Sequence, residues 1–544
     1  MLGMMMDQPL LISTLIEHAA RFHGDTEIVS READRSLHRY TYADADKRAR
    51  RAAKALLKLG VRPGDRVATM AWNTHRHFEL YYGISGIGAV MHTINPRLFH
   101  DQIRYMANHA EDSILFLDLS FVANVEAIAH ELPTIRHYVI LAPRDRMPAT
   151  SLPNALCYEE LIAAETPDFD WPVFDEYTAS SLCYTSGTTG NPKGALYSHR
   201  STLLHAFMAV SADALALSAV DCLCPVVPMF HVNGWGTTYA SAMAGCKLVL
   251  PGQYMDGESL CTLFEQEGVT ISMAVPTVWL GALKYAEETG RGFFGIKRLV
   301  VGGSAVPPSM IDTFDQRYGV KVLHAWGMTE MSPLGTIATF KKKHLAAPES
   351  VRKSVRESQG RPVPLVDLKI VDGDGNILPQ DGKAFGDLYV RGPCIISGYF
   401  RDEAANRDAF DAAGWFKTGD VCSIDADGYV HITDRSKDVI KSGGEWISSI
   451  ELENAAIGHP DIAEAAVIGV RHPKWDERPL LVVVVKPGRE IDKASVLRFL
   501  AERVAKWWLP DDIVTVEQIP HTATGKILKT KLRADFAQYK LPTA

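Results

Sequence analysis

With 544 residues, 47% of them hydrophobic and 22% charged, and a formal net charge of −8, the chain has an ordinary globular composition and no polyanion-binding balance. Its length exceeds what one core supports and suggests about three or four domain-sized units, so a large multidomain enzyme is expected. Eight cysteines spread along the chain, Cys222 and Cys224 included, make neither a disulfide framework nor a zinc cluster and read as reduced core thiols.

The first segment, residues 1–22, lacks a basic leader and becomes an amphipathic helix pattern with Glu17 and Arg21, so no export signal is evident. The longest uncharged run, Cys222 to Cys246, is interrupted by Pro225, Pro228, Asn233 and several glycines and reads as strand, loop and helix, not as a membrane span. A cytoplasmic protein without internal repeats is expected. From Leu37 to Asn73 a strand, a basic-faced helix, a Pro-Gly-Asp turn and a second strand follow one another in a β-α-β rhythm. Arg48, Arg50, Arg51 and Lys54 are read as the solvated face of that helix.

The apolar run Ser181 to Tyr184 predicts a buried strand opening into Tyr-Thr-Ser-Gly-Thr-Thr-Gly-Asn-Pro-Lys-Gly, residues 184–194. Gly187, Gly190 and Gly194 permit close backbone approach, Thr185, Ser186, Thr188 and Thr189 supply hydroxyls, and Lys193 supplies a cation, which are the groups that hold a polyphosphate. Lys193 is followed by Gly194, so the Walker arrangement is absent and this is another kind of nucleotide loop.

Residues 198–215 read as a helix, after which buried strands and helices alternate to Ser304, implying a largely parallel sheet covered on both faces. Ligands bind outside the carboxyl ends of strands in such sheets. Three such ends carry candidates. Pro228 to Trp235 places His231, Val232 and Trp235 as walls of an acid pocket; Gly302-Gly303-Ser304 lets backbone approach a flat ring; and Ala325-Trp326-Gly327-Met328-Thr329-Glu330 puts a hydroxyl and a possible magnesium carboxylate opposite the phosphate loop. The stretch 341–357 reads as a solvated basic surface.

From Leu365 the period changes to short alternating strands, a small β subdomain that leads to Asp420, placed to recognise ribose. Residues 434–438, including Arg435 and Lys437, mark a boundary, and 439–544 read as an independent domain carrying two lysine-bearing glycine loops. One loop holds Lys441, Gly443, Gly444, Glu445 and Trp446; the other holds Lys526.

Taken together, YTSGTTGNPKG, PMFHVNGW, GGSAVP, WGMTE, WFKTGD, DRSKDVIKSGGEW and TATGK resemble, in this order, the acyl-activating, adenylate-forming superfamily. Within it the likeness is to fatty-acyl-CoA synthetases of the medium-chain type, bacterial methylmercaptopropionate-CoA ligases included. The resemblance implies an α/β fold with parallel-rich sheets and a small β subdomain (about 362–433) in a large domain, 1–433. A hinge at 434–438 and a small mobile α+β domain, 439–544, complete it. It implies ATP, Mg²⁺ and coenzyme A as reactants, a carboxylic acid as substrate, and a homodimer without nucleic acid.

By the same resemblance Lys193 contacts the outer phosphates, Thr185 and Glu330 hold magnesium, and Lys526 lies between carboxylate and α-phosphate. Asp420 and Arg435 bind ribose, and Gly302, Gly303, Ser304, Ala325 and Trp326 frame adenine. Lys437, Lys441 and Trp446 join from the hinge and small domain, and Gly443, Gly444 and Glu445 lie at the CoA thiol arm. His231 and Lys441 stand beside Lys526 as catalytic candidates, and Met328 bounds the acyl chain. Three alternatives share these motifs: a carrier-loading adenylation enzyme, disfavoured because no carrier domain follows Lys526; a luciferase-like oxygenase, disfavoured by a Leu-Pro-Thr-Ala ending; and a non-catalytic nucleotide sensor, which would not need Lys526.

Overall fold

The computed structural model describes residues 1, 3–185, 191–435, 437–443, 445–522 and 526–544, with Glu445 and Trp446 described along the backbone only. Two large sheets dominate. In one, Ala179–Tyr184, Val90–Thr93, Arg66–Met70, Ile114–Leu117, His137–Ile140 and Ala155–Cys157 run parallel, and the antiparallel strands Gly194–Ser198 and Tyr399–Phe400 close one edge. In the other, Lys321–Gly327, Arg298–Val301, Ile271–Ala274, Cys222–Pro225, Lys247–Leu250 and Glu27–Arg31 are parallel, with antiparallel strands at both edges. The expected α/β architecture follows from near-continuous apolar strands that must be covered on both faces.

One shared core fills the space between the sheets, built around helices Tyr42–Lys58, His75–Ser85, His199–Val210 and Thr237–Ala244. Tyr42–Lys58 starts with a capping box in which Thr41 and Asp44 satisfy each other's backbone N–H groups. Its buried face is Ala45, Ala49, Ala52 and Ala53, and these small residues let His75–Ser85 come close: a Cβ on Gly83 would lie 3.1 Å from Ala52 Cβ. The arginines of that helix are not solvated as expected. Arg48 Nε donates to Glu79 (2.7 Å) and its Nη groups to Glu159 (2.9 and 3.0 Å), while Arg50 pairs with Asp46 at 2.8 Å and Glu17 at 2.9 Å. The central layer is too deep for an unpaired Arg48 guanidinium, so it is matched by acids distant in sequence.

Strands Asp367–Val371, Phe385–Arg391, Phe416–Ile424 and Val430–Arg435 form the antiparallel β subdomain. The last of them runs through Asp434 and Arg435, into the span expected to form the hinge. Stretch 341–357 is mostly exposed, as expected, with Lys341 and Lys343 reaching Asp427 at 3.3 and 2.6 Å, Lys353 reaching Asp312 at 3.1 Å, and His344 and Val355 buried. Beyond it, Ile462–His472 and Asp476–Val485 make a long hairpin, flanked by Ile440–Ser442 and by Asp512–Thr515, over its own core of Leu452, Val467, Leu481, Val483 and Leu500. All eight cysteines are buried and free, and among the described residues no helix is long and apolar enough to cross a membrane.

Candidate active site

A cleft of about 570 Å³ opens at the carboxyl ends of Cys222–Pro225, Ile271–Ala274, Arg298–Val301 and Lys321–Gly327, where the loops leaving those strands meet the β subdomain and the small domain. His231, Val232, Trp235, Gly302, Gly303, Ser304, Ala325, Trp326, Gly327, Met328, Thr329, Glu330, Thr185, Lys193, Arg435, Lys437 and Lys526 all line it.

The segment after His231 is wound left-handed: Val232, Asn233, Gly234, Trp235 and Gly236 have φ of 47°, 54°, 61°, 56° and 74°. Each non-glycine residue so placed costs about 1–2 kcal/mol, most severely the β-branched Val232. Asn233 anchors the turn, its Nδ2 donating to Ser181 Oγ (2.9 Å) and its Oδ1 accepting from Cys183 Sγ (3.3 Å). The strain therefore holds His231 and Trp235 on one wall. A side chain on Gly302 or Gly303 would begin within 3.7 Å of the Trp235 indole, so the tryptophan and the glycine pair face each other across a narrow slot. Burial, with the Lys526 charge as second cause, lowers His231 to about 4 and keeps it neutral. Beyond the slot the walls are apolar, from Val226, Val227, Met255, Val275, Val278 and Leu280.

Opposite, Thr185 N–H donates to the Lys193 carbonyl (2.9 Å) and Lys193 N–H to Thr185 Oγ1 (3.2 Å), closing the base of the phosphate loop. Ser186, Gly187, Thr188, Thr189, Gly190 and Gly444 lie outside the described residues. Lys193 Nζ sits 5.1 Å from the Tyr399 ring centroid, and the Tyr399 hydroxyl donates to buried Glu330 at 2.7 Å. Gly327 accepts no side chain, since a Cβ there would meet the Pro333 carbonyl oxygen at 2.0 Å. Trp326 Nε1 donates to Asp420 (3.0 Å), whose other oxygen pairs with Arg435 Nε at 2.9 Å, so Asp420 stands behind the cleft and orients two of its walls. The Glu330 carboxylate and Thr185 hydroxyl form an all-oxygen donor set, which fits Mg²⁺ that keeps most of its shell as water and phosphate oxygens.

Lys526 reaches in from the small domain, its Cε 4.0 Å from where a Gly303 side chain would begin. Burial first and Arg435 second lower it to about 8, against the opposing pull of Asp420 and Glu330. Close to it, large and small domains are joined: Asp434 Oδ2 accepts from Ser449 N–H (2.7 Å) and Ser449 Oγ, Ser449 Oγ also meets Lys529 Nζ, and Lys529 pairs with Glu453 at 2.8 Å. Of the other glycine loop, Lys441 and Gly443 stay out. Lys441 is exposed, with its N–H on Glu477 (3.0 Å), and Gly443 packs against Trp475, so neither lines the cleft. Tyr399, the Asp434–Ser449–Lys529–Glu453 cluster and the wall at the start of helix Pro276–Thr289 are cleft features that sequence reasoning missed. Only the proline at that helix start carried a local signal, of a helix beginning at a strand exit.

The AMP-binding enzyme family matches residues 15–400 and the AMP-binding enzyme C-terminal domain matches 451–526. The chain is 54% identical over 538 residues to the 3-methylmercaptopropionyl-CoA ligase of Ruegeria lacuscaerulensis, covering 98% of this chain and 99% of the relative. It is 50% identical to the medium-chain-fatty-acid–CoA ligase of Ectopseudomonas oleovorans, covering 99% and 98%. Among solved structures it superposes on an anthranilate CoA ligase in complex with anthranoyl-AMP with a TM-score of 0.86 at 25% identity, covering 97% of this chain and 98% of the other. ATP-bound MatB from Rhodopseudomonas palustris gives 0.81 at 26% identity, covering 97% and 100%. With residues 15–400 and 451–526 matched by its two models, the chain belongs to the AMP-binding enzyme family.

Proposed function

We propose that the protein is an ATP-dependent acid–CoA ligase that acts through an acyl-adenylate on short- to medium-chain carboxylic acids, 3-methylmercaptopropionate among them. The observation that carries this reading is a single cleft in which a phosphate-loop base, a buried carboxylate and a lysine from the second domain converge beside an apolar slot. The carboxylate attacks the α-phosphorus of ATP, releasing pyrophosphate. The CoA thiol then attacks the acyl carbon, loses its proton and expels AMP.

Each pair of like unit charges at about 4 Å repels by about 1 kcal/mol in water and about 4 kcal/mol at an effective dielectric of 20. The first step therefore needs positioned cations, which Lys193 supplies at the outer phosphates and Lys526 between the reacting groups. Magnesium, when bound by Thr185 and Glu330, neutralises further phosphate charge. Neutral His231 flanks the carboxylate without adding competing charge. Arg435, oriented by Asp420 behind it, binds ribose, Lys437 approaches the nucleotide from the hinge, and Ser304, Ala325, Trp326 and Met328 frame the adenine and the start of the acyl chain. Large domain 1–433, hinge 434–438 and small domain 439–544 would exchange Lys526 for the loop of Lys441, Gly443, Gly444, Glu445 and Trp446 between the two steps. That Lys526 lines the cleft while Lys441 and Gly443 do not supports this exchange.

Relatives named as 3-methylmercaptopropionyl-CoA ligases at 54% and 53% identity support a thioether acid, and a thioether sulfur against the Trp235 indole gains about 0.3–1.5 kcal/mol. A cytoplasmic homodimer belongs to the same reading. Thioester formation measured across C3 to C12 acids and 3-methylmercaptopropionate tests it: maximal kcat/KM below about C8 is expected, and a maximum at C12 or above would overturn the assignment.

A further inference from the structure

Helix His75–Ser85 is buried along its whole length, so the polar side chains on it need partners inside the protein. Arg76 reaches Glu159 (2.7 Å) and Glu32 (3.0 Å), His77 lies 3.1 Å from both Thr69 Oγ1 and the Trp72 carbonyl, and Glu79 is held by Arg48 and by the Tyr158 hydroxyl at 2.7 Å each. His75 differs. Its ring is 0% exposed, and neither Nδ1 nor Nε2 makes a hydrogen bond among the described residues. It stacks on His38 with centroids 3.9 Å apart and planes at 16°, and His38 Nε2 is likewise buried without a hydrogen bond. His75 Nδ1 lies 3.5 Å from Glu32 Oε1, and one donor atom from each of Glu32, His38 and His75 falls within 4.8 Å of the others.

We propose that Glu32, His38 and His75 form a binding site for one divalent transition cation of the zinc class, outside the catalytic cleft, which none of them lines. Two donors about 2.1 Å from a tetrahedral ion stand about 3.4 Å apart, so the Glu32–His75 separation is already that of a ligand pair. Burial lowers both imidazoles, which keeps them in the neutral, ligating form.

Glu32, Glu79 and Glu159 pair with Arg48 and Arg76 in one connected network, which fixes Glu32 beside the two rings. Arg76 Nη1 contacts both Glu32 oxygens at 3.0 Å, so one oxygen can turn to an ion while the other keeps its arginine. Binding requires the imidazoles to leave their parallel stack, and the ring that moves is His38, half-buried on the edge strand Leu37–Thr41. An ion there would tie the N-terminal hairpin to the central helix layer.

The test uses the full chain, stripped with EDTA and titrated with Co²⁺ as an optical probe, then with Zn²⁺. One equivalent of Co²⁺ should develop the visible absorption of a four-coordinate nitrogen–oxygen site, Zn²⁺ should displace it, and Zn²⁺ should raise the melting temperature. His38→Gln, at the half-buried position, should fold with unchanged circular dichroism and bind Co²⁺ at least about tenfold more weakly. Glu32→Gln gives a second reading if the first variant is unstable. No absorption and no thermal shift in the wild type would overturn the site, as would a band that persists unchanged in both variants.

Discussion

In the free enzyme burial first and Arg435 second lower Lys526 to about 8. Only its ammonium form can lie between a carboxylate and a phosphate, so the sign is fixed: activity is present below about pH 8 and is lost as pH rises through it. For one group titrating at about 8, the protonated fraction falls from about nine-tenths at pH 7 to about one-tenth at pH 9, and kcat/KM for adenylation should fall about tenfold. The limb in kcat should lie at higher pH, because bound phosphates and carboxylate favour the charged lysine. His231, lowered to about 4, should add no inflection above pH 6. Initial rates of acid-dependent pyrophosphate exchange at subsaturating acid give the profile. Lys526→Ala should lose at least about 10²- to 10³-fold, and Lys526→Arg, whose charge persists throughout, should flatten the alkaline limb of whatever activity remains. A wild-type profile flat to pH 10, or the same midpoint in Lys526→Arg, would refute the assignment.

Trp235→Ala should shift the chain-length optimum upward, since each methylene newly buried contributes about 0.8 kcal/mol, or about fourfold in kcat/KM; an unchanged profile would remove Trp235 from the acyl wall. Ser449→Ala removes the Oγ hydrogen bond to Asp434 across the domain junction and leaves the backbone N–H in place, at about 1–3 kcal/mol. It should slow adenylation about tenfold or more while sparing thioester formation from supplied acyl-AMP, and equal losses in both half-reactions would argue for a general defect. Glu330→Gln should raise the Mg²⁺ concentration needed for half-maximal exchange by about tenfold or more, with little change in KM for the acid; an unaltered magnesium dependence would exclude Glu330 as a ligand.

The strand-end motifs were legible because their chemistry is local: Gly302-Gly303, the Thr329-Glu330 pair and the Lys193 loop each cluster within a few residues. The helix layer was not. Arg48 looks like a surface residue on its own helix because Glu79 and Glu159 are 31 and 111 positions away, and only the packing of Tyr42–Lys58 between two sheets makes them partners. Tyr399 carried no signal either. A tyrosine in a two-residue strand becomes a cleft wall only when that strand pairs with Gly194–Ser198, which brings its hydroxyl to Glu330. The Asp434–Ser449–Lys529–Glu453 junction escaped for the same reason, since it exists only once the two domains meet.

The central claim, that an acid is activated as its adenylate before any thiol takes part, is tested most directly by exchange of labelled pyrophosphate into ATP with CoA omitted. Exchange that requires both Mg²⁺ and a short- to medium-chain acid is predicted, with addition of CoA converting the same acid to its thioester and releasing one AMP per turnover. Formation of ADP and phosphate, or exchange that appears only when CoA is present, would contradict it.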